Sequence, residues 1–316
     1  MARSTNVAWL FPGQGSQAVG MGKELAAASE AARQTYERAD RALGEPLSRL
    51  CFEGPMEELT LTANTQPAIV ATSMAIVAAL RERYPDLAPP LFAAGHSLGE
   101  YSALAASGAL ELEDAVRLCR LRGVAMQESV PPGEGAMSAI MGLDAQAVAA
   151  LCEEASAGEV VSPANYNAPG QVVIAGHAAA VARAGDLVVA RGGKAIALKV
   201  SAPFHCALMA PARERLAPEL ARVEIRPLAF PVIANVDATP NASPDRVSDL
   251  LLRQIDGPVQ WAASVERMAA EGVTHALELG PGKVLAGLVK RIAKSIKVLS
   301  VADAAGIDAV AAFLET

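Results

Sequence analysis

Residues 91–110 read LFAAGHSLGEYSALAASGAL, an apolar run that ends in Gly95-His96-Ser97-Leu98-Gly99 and passes directly into a helical pattern. A serine flanked by glycines where a strand becomes a helix is the arrangement of a nucleophile elbow. The tight turn forces strained backbone angles and leaves no room for side chains at the glycine positions. It also lifts the hydroxyl clear of the sheet, at the positive end of the next helix. Ser97 is therefore the candidate nucleophile. The competing explanation is a glycine-rich turn that happens to contain a serine.

The same syntax recurs elsewhere in the chain. NVAWLF (6–11) enters PGQGSQ and a helical stretch over 22–43, THALELG (274–280) enters PGKVLAGLVKRIAK, and KVLSV (297–301) reads as a last strand. Strands alternating with helices predict an α/β fold with a mainly parallel sheet. TQPAIVATSMAIVAAL (65–80) begins with a threonine at a cap position and an early proline, and is apolar on nearly all sides, as a buried helix is. Between MSAIMGL and KAIALKV the order is β-α-β-β-α-β, that of a ferredoxin-like unit. The expected organisation is a large hydrolase-like α/β domain, residues 1–129 and 201–316, with a ferredoxin-like subdomain inserted at 130–200. Beyond it the pattern predicts a strand over 230–236 and helices at 208–221, 244–255 and 258–271.

Apolar residues make up 52% of the chain and charged ones 19%, which fits a packed globular protein and argues against disorder. Its 27 basic and 34 acidic residues leave a net charge of −7, which argues against a nucleic-acid binder. Cys51, Cys119, Cys152 and Cys206 form no C-x-x-C pair and read as reduced thiols of a cytoplasmic protein. The N-terminal MARSTNVAWLFPGQ reaches a Pro-Gly turn too soon for a signal peptide, and no apolar run approaches the ~18 residues of a membrane span. No His, Cys or carboxylate set has metal-ligand spacing.

A serine nucleophile needs a base. Of four histidines, His96 adjoins Ser97 and points off the turn in another direction. His177 reads as a helix start and His275 as part of a strand. Elimination leaves His205, in VSAPFHCAL, where the chain re-enters the large domain; its neighbour Cys206 reads as a packed thiol. No acid between Ser97 and His205 follows a strand as a triad acid does, so a main-chain carbonyl is the alternative orienter. PGQGSQA (12–18) matches a dinucleotide fingerprint only weakly, because the acids at the right spacing, Glu37 and Asp40, fall in a helix. Its glycines instead let the main chain near Gln14 approach a reacting group. On pattern alone, Arg122 joins Arg117 and Arg120 as a solvated basic helix face.

Together FPGQGSQ, GHSLGEYSAL, RGVAMQE, NYNAPGQVVIAG, APFHC, GPVQW and GPGKVL, in this order from about residue 6 to residue 300, resemble the malonyl-CoA:acyl-carrier-protein transacylase family. The resemblance implies Ser97 as nucleophile, His205 as its base, and the main-chain N–H groups of Gln14 and Leu98 as an oxyanion hole. It implies Arg122 as partner of the malonyl carboxylate and the Gln254 carbonyl as orienter of His205. Leu98 and Phe204 resemble residues of members that select malonyl over methylmalonyl. Asp256-Gly257 departs from the family's common Tyr-Asn, which bears on the local loop. The resemblance further implies malonyl-CoA as substrate and no permanently bound cofactor. It also implies a transient partner, a holo acyl carrier protein whose phosphopantetheine thiol receives the malonyl group. A monomer is expected, with carrier docking on Lys283, Lys290, Arg291 and Lys294 or on Arg191, Lys194 and Lys199. The rivals are a serine thioesterase or esterase using the same Ser97, and a non-catalytic carrier-docking protein.

Overall fold

The computed structural model describes residues 6–316; residues 1–5, on which the leader reading and the start of the expected large domain partly rest, lie outside the described residues. Among the described residues ten strands fall into two sheets. In chain order they are β1 (Val7–Phe11), β2 (Phe92–Gly95), β3 (Gly135–Met141), β4 (Val161–Ala168) and β5 (Gln171–His177). The remainder are β6 (Lys194–Ala197), β7 (Val232–Ile233), β8 (Pro240–Asn241), β9 (His275–Leu279) and β10 (Lys297–Val301).

The six-stranded sheet runs β10-β9-β1-β2-β7-β8, parallel throughout except for the final β7–β8 pair. All five side chains of VAWLF in β1 are buried, as expected of a strand covered on both faces by helices. Its register sets Phe11 opposite Gly95. The loop after β1 and the turn after β2 therefore emerge side by side at the carboxyl end of the sheet, where open α/β sheets place their ligands.

The four-stranded sheet runs β4-β5-β3-β6 with every pairing antiparallel, the strand order of a ferredoxin-like unit. Ile140, Val148, Leu151, Val172, Ile174 and Val181 form its own core beneath helices Ala145–Ser156 and Ala178–Ala190. Its other face, through Met137, Ala164, Val173 and Ala175, joins the core of the larger sheet. Two hydrogen bonds sew the sheets together: Tyr166 N–H to the Val259 carbonyl at 2.9 Å, and Val259 N–H to the Ala164 carbonyl at 2.8 Å.

Three local expectations need correction. The helix expected over 22–43 breaks at Ser29, which is extended (φ −124°) and accepts from Ala32 N–H as cap of Glu30–Leu43. Its hydroxyl also donates to Glu82, so a tertiary contact fixes the break. The strand expected over 230–236 shrinks to Val232–Ile233, because Asn235 leaves the ladder for the site described below. The central helix starts at Thr62, ahead of the expected threonine cap, and carries Pro67 inside it; fifteen of its 22 residues are buried. That helix also overturns the statement on apolar length. By length and composition it could cross a membrane, yet 83% of its most apolar window is buried in the core. Burial against neighbouring helices, including Leu112–Glu128, outweighs the main-chain hydrogen bond that Pro67 cannot make.

Candidate active site

Ser97 occupies the turn between β2 and helix Gly99–Ala106 with φ +54°, a left-handed value costly for any residue with a Cβ. The flanking glycines are required by space. A Cβ on Gly95 would lie 1.9 Å from the Gly99 carbonyl, and one on Gly99 would lie 2.3 Å from the Phe11 carbonyl oxygen. The strained peptide is held at both ends. Ser97 N–H donates to Asn235 Oδ1 at 2.7 Å, and the Ser97 carbonyl accepts from Gln254 Nε2 at 2.9 Å.

His205 comes from the far side of the sequence to lie with Nε2 2.7 Å from Ser97 Oγ. Its Nδ1 faces the Gln254 carbonyl at 2.9 Å. A carbonyl only accepts, so Nδ1 carries the hydrogen and Nε2 presents a lone pair to the Ser97 hydroxyl. Burial, followed by the nearby Arg122 charge, pushes the His205 imidazole down to about 3, so the ring is neutral at physiological pH. His205 also has positive φ, +60°. The carbonyl orienter left open by the sequence is the group observed; no acid contacts Nδ1.

Arg122 is 1% exposed, which overturns the solvated-face reading. Successive helical residues advance by about 100°, so Arg122 and Arg120 lie on opposite sides of their helix. Arg117 pairs with Asp114 and Arg120 with Glu45 outside, while Arg122 turns inward. Its Nη2 donates to Ser97 Oγ at 3.0 Å and to Gln254 Oε1 at 2.8 Å, and its Nη1 donates to Gln66 Oε1 at 2.7 Å. The guanidinium lies 5.7 Å from the Tyr101 ring, and its Nε has no partner. All its acceptors are neutral.

Ser97, His205, Arg122, Gln14, Leu98 and Phe204 line one cavity of about 130 Å³, closed from the smaller sheet's side by Met137, Asn165, Leu198 and Val200. Gln254 stands behind it. Among the described residues no acceptor pairs with the main-chain N–H of Gln14 or of Leu98. His96 also lines this cavity, contrary to the expectation that it points elsewhere, but its Nε2 is engaged with Asn167 Oδ1 at 2.8 Å. Cys206 is buried with its thiol donating to the Pro203 carbonyl, and His177 accepts Val160 N–H on Nδ1; both are structural. A larger cleft, between Arg117 and Arg215, has no hydroxyl–imidazole pair. Among the described residues no group of three His, Cys, Asp or Glu could hold a metal.

Sequence reasoning missed Asn235, Gln66 and the part played by Glu100. Glu100 is 3% exposed, accepts from Gln254 Nε2 at 2.7 Å and from Asn235 N–H at 3.1 Å, and burial pushes its carboxyl up to about 7. Its position after the G-x-S-x-G turn, on the first turn of a helix with no exposed face, was the available signal.

Residues 8–313 match the acyl transferase domain family. Among curated proteins, the chain is 50% identical over 293 residues to the malonyl CoA-acyl carrier protein transacylase of Escherichia coli K12, covering 92% of this chain and 94% of that one. It is 47% identical over 301 residues to the Bacillus subtilis protein of the same name, covering 95% and 94%. Among solved structures, an acyl carrier protein S-malonyltransferase from Vibrio cholerae superposes with TM-score 0.94 at 48% identity, over 96% of this chain and 99% of that one. A malonyl-transacylase in complex with a type II PKS acyl-carrier protein gives TM-score 0.94 at 45% identity, over 98% and 99%.

Proposed function

The chain belongs to the acyl transferase domain family, and from that premise we propose that it is a malonyl-CoA:acyl-carrier-protein transacylase of fatty-acid or polyketide synthesis. The observation that carries this reading is a single hydroxyl, Ser97 Oγ, lying 2.7 Å from a neutral imidazole and 3.0 Å from a buried guanidinium. The first group makes a nucleophile; the second recognises a carboxylate.

His205 Nε2 takes the Ser97 proton as Oγ attacks the thioester carbonyl of malonyl-CoA. The developing oxyanion faces the N–H groups of Gln14 and Leu98; one such donor is worth on the order of 3 kcal/mol. The carbon–sulfur bond breaks, His205 returns its proton to the CoA thiolate, and malonyl-Ser97 remains. The carrier's phosphopantetheine thiol then gives its proton to His205 and attacks the ester carbonyl, and Ser97 leaves with that proton. The Gln254 carbonyl holds the His205 ring in the tautomer this needs. Arg122 pairs with the malonyl carboxylate, its Nη2 exchanging the Ser97 hydroxyl for a charged acceptor. A neutral acyl group supplies no such acceptor, so selectivity for malonyl follows. Leu98 and Phe204 line the same cavity, and on this reading their bulk would disfavour an α-methyl branch.

We read 1–129 with 201–316 as the large domain and 130–200 as the subdomain, working as a cytoplasmic monomer without a resident cofactor. The four buried free thiols fit a reducing compartment. Of the two basic clusters, the one at Lys283, Lys290, Arg291 and Lys294 is the better carrier dock. Lys290, Arg291 and Lys294 border an open cleft near Ile296, with Arg291 bonded only to neutral acceptors of Gln171 and Pro169, whereas Arg191 is paired with the Glu154 carboxylate. Charge reversal of Lys290 and Lys294 should raise the carrier KM several-fold and leave the malonyl-CoA KM in place; an unchanged carrier KM removes the cluster.

Mass spectrometry of the intact protein after exposure to malonyl-CoA tests the reading as a whole. One malonyl group should appear on the protein, be absent from Ser97→Ala, and discharge onto holo carrier. Rapid release of free malonate without carrier would instead identify a hydrolase.

A further inference from the structure

Arg122 is a buried cation whose direct acceptors, Gln66, Gln254 and Ser97, are all uncharged. A carboxylate does lie one amide away. Gln254 accepts from Arg122 on Oε1 at 2.8 Å and donates from Nε2 to Glu100 Oε2 at 2.7 Å, so its side chain couples the two charges through one oriented dipole. The same Glu100 oxygen accepts Asn235 N–H, and Asn235 in turn holds the Ser97 amide. We propose that Glu100 is the counter-charge of Arg122 in the empty site, coupled through the Gln254 amide, and that it takes up a proton when a substrate carboxylate pairs with Arg122. The proposal rests on the reading of Arg122 as that carboxylate's partner.

Charge balance governs this desolvated place. One guanidinium and one carboxylate compensate each other; a second carboxylate leaves an uncompensated negative charge, which burial opposes. The other groups bearing on Glu100 cannot offset it. Asp237, 3.7 Å from Arg246, adds negative potential. Tyr101 is buried, with its ionisation pushed up by desolvation. His205, beyond Gln254, is kept neutral by burial. Glu100 already sits at about 7, mainly through desolvation with Arg122 opposing, so drawing Arg122 toward a new anion moves it further up. A protonated Glu100 keeps the bonds from Gln254 and Asn235 on Oε2 and carries its hydrogen on the other oxygen.

Calorimetric binding of malonyl-CoA and acetyl-CoA to the Ser97→Ala protein at pH 8, in buffers of different ionisation enthalpy, counts the protons. Malonyl-CoA should bring in on the order of one proton more than acetyl-CoA, and its Kd should weaken by up to about tenfold per pH unit above 7. Adding Glu100→Gln should abolish both effects. Tighter binding of malonyl-CoA with equal proton uptake for the two ligands overturns the Glu100 proposal and leaves the Arg122 reading standing. Equal binding of both ligands overturns the Arg122 reading and the proposal with it. If the Glu100→Gln protein does not fold, the two-ligand comparison on Ser97→Ala decides alone.

Discussion

A guanidinium shut into a core with three neutral acceptors in contact, its balancing carboxylate one amide away, has no charged partner of its own until an anion arrives, and on the proposed reading that makes Arg122 the selector. Arg122→Ala should lower kcat/KM for malonyl transfer by about 10²–10³-fold, the equivalent of about 3–4 kcal/mol for a desolvated charge pair. Acetyl transfer should fall far less, so that the ratio of the two inverts; equal losses would remove the carboxylate role. As the proposed base, His205 should set the pH response. Burial disfavours the imidazolium, so the base stays unprotonated until the pH drops well below the usual 6.5, and the acid limb of the acylation rate should lie below pH 5. A limb near 6.5 in rapid-quench measurements would contradict that placement. Ser97 was legible because its signal is five consecutive residues, and His205 because histidines are so few. Asn235, Gln66 and Glu100 were not, since an amide or a helical glutamate acquires its meaning only from what folding brings against it. Asn235 meets Ser97 across 138 residues of chain.

The turn between β2 and its helix is the element that could be read most fully, because the requirement is steric and local. Gly95→Ala should destabilise the protein by several kcal/mol, about the upper range for single substitutions, since the added methyl meets the Gly99 main chain, which cannot move aside. Thermal or urea unfolding of the variant checks this; a loss under about 1 kcal/mol would mean that the turn is looser than drawn. The alternation of strands and helices and the ferredoxin-like order were legible for a related reason, each resting on periodicity within a segment. Element ends were less so. Ser29 breaks a helix because Glu82 reaches it, and the central helix tolerates Pro67 because its surroundings bury it. Neither neighbour is visible in a local window.

At the scale of the molecule, the cavity is a joint product of two sheets. The turn after β2 of the larger contributes Ser97, helix Leu112–Glu128 contributes Arg122, the smaller sheet contributes Met137 and Asn165, and the pair of bonds at Val259 ties the smaller sheet to the rest. Val259→Pro removes the donor to Ala164 and should loosen that seam. The expected result is a several-fold faster loss of malonyl from the acylated protein to water, with carrier-dependent transfer reduced less; unchanged hydrolysis would show that closure does not depend on the seam. The partnership could not be read from sequence, because Val259, which bridges β4 just ahead of helix Trp261–Ala270, falls in a stretch read as the start of that helix. Of the four described non-glycine residues with positive φ, two are Ser97 and His205, each at a cost of about 1–3 kcal/mol. A descendant copy released from acyl transfer would be under no pressure to hold either torsion. The two torsion angles are thus a hallmark of selection for chemistry over robustness, and residue identity at 97 and 205 can sort working copies from idle ones in a genome.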